Sequence, residues 1–414
     1  MSKNTFELLK ERGYIYQATH EEEVKNMING GPVTFYLGID PTADSLHIGH
    51  FFALMLFRHL QEAGHKGILL VGGATAMIGD PTGKSDMRKM ITKEEVLRNV
   101  EEVKNLARRF IITDGDNPAI IVNNADWINS YGYIDFMRDV GIHFNINVML
   151  AAETYANRLA EGGLTFLEMG YMLMQAYDFV YLNKNYGCKL QIGGSDQWGN
   201  IVAGSNLGRK QSIADGIEKD EMYGLTNPLL MTSDGKKMGK TESGTLWVAR
   251  EKTTVFDFYQ YFYNVRDEDT ETLLRLFTRV ETDKIIELCE NDIIGAKRLM
   301  AFEVTKLVHG DLEAQKAQDT AVSLFVSGTD DSNMPSTELT EDDFGGRGEL
   351  PVAELLVLCG LAPSKAEAKR LIMQGGISAG EEKVTDPGFA IDRKDLENGV
   401  ILKKGKKVFH RVTL

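Results

Sequence analysis

A chain of 414 residues, 43% of them hydrophobic, is too long for a single core and is read as two or three globular domains. Its net charge of −14 excludes a general coat for nucleic acid, and the lack of any uncharged apolar run of about 18 residues argues against a membrane span. The charged amino-terminal stretch MSKNTFELLKERGY lacks a secretory signal, and three scattered cysteines without a C-x-x-C exclude a disulfide framework or thiolate zinc site, so a cytoplasmic location is expected.

Along the chain, VTFYLGI from Val33 to Ile39 reads as a buried strand, followed by a polar turn and a helix-periodic run from Leu46 to Ala63. GILLVGG from Gly67, AIIVN from Ala119 and KLQIG from Lys189 read as further strands, interleaved with helical stretches such as Lys93 to Phe110. The alternation predicts a doubly wound parallel sheet of the α/β class, with ligands at the carboxyl ends of its strands. The first domain is placed over 1–225, with an amphipathic helical insertion near 127–163. An apolar face there suits a dimer contact or a helix covering its own sheet.

A helical domain is expected over 226–326. The acidic, Gly-containing stretch 327–349 reads as a linker, and 350–414 as a small α/β module. That module carries 11 Lys+Arg against 8 Asp+Glu, or +3, which leaves −17 for the rest of the chain. Lys369, Arg370, Lys403, Lys404, Lys406, Lys407 and Arg411 give it the character of a phosphate-backbone binder, although basic residues of this kind also occur as a solvated surface.

Four stretches bear on chemistry. GDPTGKS, from Gly79 to Ser85, resembles a phosphate loop but has one residue too few between its first Gly and the Gly-Lys pair. PTADSLHIGH, from Pro41, places His47 and His50 three apart at a helix start, beside the free N–H groups and positive dipole end that suit a phosphate. Spacing alone fits two surface histidines as well, and a metal site lacks a third ligand; the position at the end of the first strand favours nucleotide binding. MTSDGKKMGKTESGT supplies Lys237 and Lys240 around a glycine, a positive loop able to close on a polyphosphate. Finally, Tyr171, Gln175 and Asp178 stand at i, i+4 and i+7 of a helical stretch, forming a polar stripe in apolar surroundings.

Taken together, H-I-G-H after the first strand and K-M-G-K-T after the last resemble the two signatures of class I aminoacyl-tRNA synthetases. The stretches YLGIDPTADSLHIGH, GGATAMIGDPTGK, LMQAYDF and QIGGSDQWGN, with a carboxy-terminal module similar to the S4 RNA-binding domain, resemble the bacterial tyrosyl branch over essentially the whole chain.

The resemblance implies a Rossmann-like catalytic domain that joins L-tyrosine to ATP and then to tRNA(Tyr), with Mg²⁺ accompanying ATP, no protein-bound metal and a homodimeric assembly. It implies that Tyr36 and Asp178 meet the phenol and that Asp80, Tyr171 and Gln175 hold the ammonium. Gln197 would face the substrate backbone. Gly38, Asp40, His47, His50, Asp196 and Lys240 would bind ATP, with Thr42, His47, His50, Lys237 and Lys240 serving catalysis. Lys84 and Arg88 would add charge near the triphosphate or the RNA end. Arg209 and Lys210 would guide the tRNA end, and Lys369, Arg370, Lys403 and Lys404 its body. Against phenylalanine, Tyr36 and Asp178 would be left unpaired, so selectivity needs no editing domain. Leu37 stands where the family often has a Cys able to donate to a ribose hydroxyl.

Overall fold

The computed structural model describes residues 4–82, 91–216, 221–241, 244–326, 335–380, 382–405 and 408–414. These form two compact units, the first comprising 1–239, 247–249 and 272–282, the second the remainder. The expected boundary at 225 falls inside a strand and is corrected accordingly. The charged stretch after Thr254 does not mark the break, because 272–282 returns to the first unit.

The first unit opens with α1 (Thr5–Arg12), β1 (Gln17–Ala18) and α2 (Glu21–Gly30). Then β2 (Thr34–Ile39), α3 (Ile48–Glu62), β3 (Lys66–Val71), α4 (Lys93–Ala107) and β4 (Ile120–Asn123) alternate. The insertion follows as α5 (Ala125–Ile128), α6 (Tyr133–Asp139), α7 (Ile146–Ala151) and α8 (Glu153–Glu161). Long helices α9 (Phe166–Tyr186) and α10 (Trp198–Ala214) flank β5 (Leu190–Gly194), and β6 (Tyr223–Asn227) completes the sheet.

Strand order is β1-β6-β5-β2-β3-β4, with β1 antiparallel and its neighbours parallel. Consecutive β2, β3 and β4 progress in one direction, and the chain then returns to lay β5 on the other side of β2. The β2–β5 boundary is therefore the switch point at which doubly wound sheets bind ligands. The apolar runs of β2 and β3 are buried on both faces, as parallel strands covered by helices require.

Helix α9 is fixed firmly at both ends. Thr165 and Glu168 form a reciprocal capping box, and Gly187 closes the helix in the left-handed region at φ 65°. Glu168 is also gripped by Arg158 at 3.0 Å, with both side chains buried. Removing one member of such a pair costs about 3–5 kcal/mol. The helix that carries the polar stripe therefore has little freedom to turn.

In the second unit, β7 (Lys240–Thr241) and β8 (Gly244–Thr245) pair antiparallel. Helices α11 (Val255–Tyr263), α12 (Asp267–Phe277, whose last residues belong to the first unit), α13 (Thr282–Asn291), α14 (Ile293–His309) and α15 (Asp311–Val326) follow. The carboxy-terminal part contains β9 (Ser336–Glu338), α16 (Glu341–Phe344), β10 (Glu349–Pro351), α17 (Val352–Leu358), α18 (Lys365–Met373) and β11 (Ile377–Ala379). It ends with β12 (Glu382–Val384), β13 (Ala390–Asp392), β14 (Val400–Lys404) and β15 (Val408–Thr413).

Here the expected linker 327–349 is corrected. β9 adds a parallel edge to β15, and Leu339 and Phe344 are buried in the module's core. The acidic composition concealed two apolar anchors, and only 327–334 lie outside the described residues.

Candidate active site

Every strand end around the switch point contributes a polar group. Asp40 follows β2, Thr75 follows β3, Asn124 follows β4, and Ser195 to Gln197 follow β5. Facing them, α9 presents Tyr171 and Asp178 from its buried side, as its i, i+4, i+7 stripe predicts.

Asp178 is 2% exposed and accepts from the Trp127 indole Nε1 at 2.7 Å and from Asn124 Nδ2 at 2.9 Å. Burial pushes its carboxyl up to about 7, against the two donated hydrogen bonds and with a further upward push from the Asp40 charge. Tyr36, on β2, lies in the same core. Its hydroxyl is buried and makes no hydrogen bond among the described residues. Desolvation, followed by the nearby Asp178 charge, raises its pKa well above the usual tyrosine value. A buried hydroxyl of this kind costs about 1–3 kcal/mol unless a ligand partners it.

Towards the mouth, Tyr171 donates to Asp40 Oδ2 at 2.9 Å and Thr75 donates to Asp40 Oδ1 at 2.7 Å. Gly72 makes this possible: a Cβ there would lie 2.0 Å from Asp40 Oδ1 and 2.3 Å from Thr75 Oγ1. Asp80 accepts from Gln197 Nε2 at 2.6 Å and from Thr82 Oγ1 at 2.6 Å, while Asn200 donates to Gln197 Oε1 at 3.1 Å. Gln197, expected to face the substrate backbone, thus binds Asp80 directly. Gln175 Oε1 is a buried acceptor with no donor among the described residues.

At the other end lie His47 and His50, whose rings stack at 3.7 Å. The expectation that phosphate would meet free helix N–H groups needs correction. His47 is itself the N-cap of α3, with Nδ1 accepting from the backbone N–H of Gly49 at 3.1 Å and of His50 at 3.3 Å. An accepting Nδ1 puts the proton of a neutral ring on Nε2, which can then donate to a phosphate oxygen.

The backbone of Trp247 bridges that of His47, and Val248 N donates to Leu46 O at 2.9 Å. Gly239 sits at φ +85°, and a Cβ there would lie 2.4 Å from Ile48 Cγ2. The glycine of K-M-G-K therefore lets that loop press against the start of α3. Lys237 is exposed and its backbone bridges Met231. Asp196 is half-buried. Burial raises its carboxyl, the charge of Asp80 adds to this, and Lys237 opposes it. Thr42 follows β2, its N–H donating to the Asp40 carbonyl at 2.8 Å, and Gly38 is exposed although it belongs to a strand.

Of the residues expected to contact tRNA, Arg209 is exposed, whereas Lys210 donates to the His143 carbonyl. Arg370 pairs with Glu367 at 2.6 Å, Lys369 is exposed on α18, and Lys403 lies 5.5 Å from the Phe409 ring centre. Lys404 is half-buried on β14. Lys84, Arg88, Lys406, Lys407 and the side chain of Lys240 lie outside the described residues. Thr75, Asn124, Trp127 and Trp247 escaped the sequence reading, since none belongs to a spaced motif. The only available signals were the Gly72-Gly73 pair ahead of Thr75 and the polar Asn123-Asn124 ending a strand.

Residues 28–326 match the family of class I tRNA synthetases (W and Y), and 328–412 match the tyrosine–tRNA ligase SYY-like C-terminal domain. The chain belongs to the tyrosine–tRNA ligase family. It is 49% identical over 419 residues to the tyrosine–tRNA ligase of Clostridium tetani (strain Massachusetts / E88), covering 100% of both chains. It is also 49% identical over 415 residues to that of Acetivibrio thermocellus, covering 99% of each. Among solved structures, a C-terminally truncated mitochondrial tyrosyl-tRNA synthetase of Aspergillus nidulans superposes with a TM-score of 0.69 at 29% identity. That match covers 78% of this chain and 94% of the other. The Rossmann-like mixed sheet, the helices and the small carboxy-terminal sheet are thus those of a class I synthetase.

Proposed function

We propose that this ATP-dependent tyrosine–tRNA ligase binds its amino acid lengthwise, phenol at Tyr36 and Asp178, ammonium at Asp80, Tyr171 and Gln175. The observation that carries the reading is a pair of buried polar atoms without partners among the described residues, the Tyr36 hydroxyl on β2 and Gln175 Oε1 on α9. A phenolic O–H suits the first together with the Asp178 carboxylate. An ammonium, a pure donor, suits the second. Tyr171 gives its proton to Asp40, so towards a ligand its oxygen acts as an acceptor. Gln197 and Thr82 hold the Asp80 carboxylate in place.

The tyrosine carboxylate then attacks the α-phosphorus of ATP in line, forming tyrosyl-adenylate and releasing pyrophosphate. No side chain is a covalent nucleophile, so acceleration rests on positioning and charge stabilisation. His47 Nε2–H and His50 meet the developing phosphate charge with Thr42, and Lys237 and Lys240 attend the departing phosphates. Gly38, Asp40 and Asp196 line the nucleoside side. Mg²⁺ arrives with the ATP phosphates as part of the substrate. Among the described residues no group of three or more His, Cys, Asp or Glu side chains converges into a metal cage.

The 3′ end of tRNA then attacks the adenylate, with Arg209 and Lys210, and the basic residues Lys369, Arg370, Lys403 and Lys404 of the carboxy-terminal module, as contacts for the RNA. Two copies of the chain associate through the insertion, where Tyr133, Ile134, Ile142, Ile146 and Val148 are each at least 59% exposed. A sedimentation mass of one chain that is unchanged in Ile142→Asp would remove that interface. ATP and tRNA meet in the cytoplasm, where the reaction is placed; no helix among the described residues is long and apolar enough to cross a membrane.

ATP–pyrophosphate exchange with tyrosine, phenylalanine and tryptophan offered separately tests the pocket. Exchange with tyrosine alone supports it, and exchange with tryptophan overturns it.

A further inference from the structure

The two ends of the amino-acid pocket are joined by one amide. Asn124 is fully buried, and its Oδ1 accepts from the backbone N–H of Ala74 at 2.8 Å, which fixes the orientation of the side chain. Its Nδ2 then has two protons and two acceptors, Asp178 Oδ2 at 2.9 Å and Thr75 Oγ1 at 3.1 Å. Thr75 has a single hydroxyl proton, and that proton goes to Asp40 Oδ1 at 2.7 Å. Asp40 in turn accepts from Tyr171 through Oδ2 at 2.9 Å.

Every role in the chain is therefore forced. Tyr171 donates to Asp40, Thr75 donates to Asp40 and accepts from Asn124, and Asn124 donates to Asp178. Buried networks of this kind respond as units, because a shift at one member removes a partner from the next.

We infer that Asn124 and Thr75 are positioning residues that couple recognition of the ammonium at Tyr171 to recognition of the phenol at Asp178. This inference rests on the lengthwise pocket assigned above. A ligand ammonium drawn to the Tyr171 oxygen strengthens that hydroxyl as a donor to Asp40. The polarisation passes through Thr75 to the Asn124 amide and holds Asp178 where a phenolic proton meets it. The two ends of tyrosine then bind better together than their separate contributions predict.

A ligand cycle reads this directly. Equilibrium binding is measured for L-tyrosine, L-phenylalanine, 3-(4-hydroxyphenyl)propionate and 3-phenylpropionate, which carry both groups, either one, or neither. In the wild-type enzyme the gain from the hydroxyl should be roughly fivefold or more larger between the two amino acids than between the two propionates. Thr75→Val removes the relay hydroxyl but keeps the shape and the Asn124–Asp178 bond. It should bring the two gains within about twofold of each other, leaving the propionate pair unchanged, and Thr75→Ser should restore the difference. Asn124→Ala should lose both the difference and most of the hydroxyl preference. Should that variant fail to fold, the Thr75 pair still decides the matter.

Equal gains in the wild type, or a difference that survives Thr75→Val, would overturn the coupling. A wild-type enzyme with no hydroxyl preference in either pair would instead sink the pocket assignment on which the coupling rests.

Discussion

The phenol end and the phosphate end of the cleft lie on the same sheet but follow opposite physical plans. At the phenol end Asp178 is buried on the inner side of α9, clamped by an indole and an amide, in the same core as a hydroxyl that has no partner among the described residues. At the phosphate end the groups are half-buried or exposed: His47 and His50 stack at the mouth of α3, and Lys237 is exposed. The first end recognises a small neutral hydroxyl, where discrimination requires that a missing partner be costly, and cost requires burial. The second receives a triphosphate that arrives hydrated and must leave as pyrophosphate, so its donors cannot be sealed in. Specificity and turnover are separated along one ligand.

His47 tests that separation most severely, because it has a structural duty as well as a chemical one. His47→Asn keeps an oxygen able to cap α3 but loses the ring Nε2–H. Pyrophosphate exchange should drop about 10²–10³-fold, the usual cost of one transition-state donor, with the melting temperature unchanged. His47→Ala should lose the same activity and in addition about 1 kcal/mol of stability for the missing cap. Near-normal exchange by His47→Asn would reduce this residue to a cap and break the contrast.

At the sealed end the losses should fall on selectivity. Tyr36→Phe and Asp178→Asn should each narrow the kcat/KM ratio of tyrosine over phenylalanine by about 1–3 kcal/mol, the price of a buried polar group left unpaired. A smaller effect is expected from Gly72→Ala, whose Cβ would collide with Asp40 and Thr75. It should raise KM for tyrosine and, through Asp40, KM for ATP, and unchanged values of both would show that the site absorbs the extra Cβ.

The same contrast explains what the sequence could disclose. The phosphate end was legible because a helix start and a glycine loop are local features: His47, His50 and the K-M-G-K run sit within a few residues of the turns that display them. The stripe of Tyr171, Gln175 and Asp178 was legible from helical period. Asn124, Thr75 and Trp127 were not, because each acts across the sheet on a carboxylate about 35 to 54 positions distant, a relation that no local spacing encodes. The four parallel strands from Thr34 to Gly194 could be read from their apolar runs. β1 could not, being two residues long, and β9 was masked by its acidic neighbours.

The finest test of the contrast is pH, since the sealed end holds a carboxyl raised to about 7. Asp178 titrates near 7 in the folded protein, raised from an ordinary 3.8 by burial. A neutral Asp178 can donate to a phenol oxygen, but only the carboxylate accepts the phenolic proton while Asn124 and Trp127 keep their bonds. Tyrosine affinity should therefore rise as pH passes upward through about 7 and level off, with phenylalanine affinity failing to follow. Stability carries the opposite sign. Between 3.8 and 7 the folded chain holds a proton that the unfolded chain has released, so this group's contribution falls as pH rises and stays low above 7. The difference in melting temperature between Asp178→Asn and the wild type should accordingly move in favour of the variant from pH 4 to pH 8, while its tyrosine affinity loses the step near 7. A step retained in Asp178→Asn would move the titration to another group and leave the sealed end with no charge of its own to regulate.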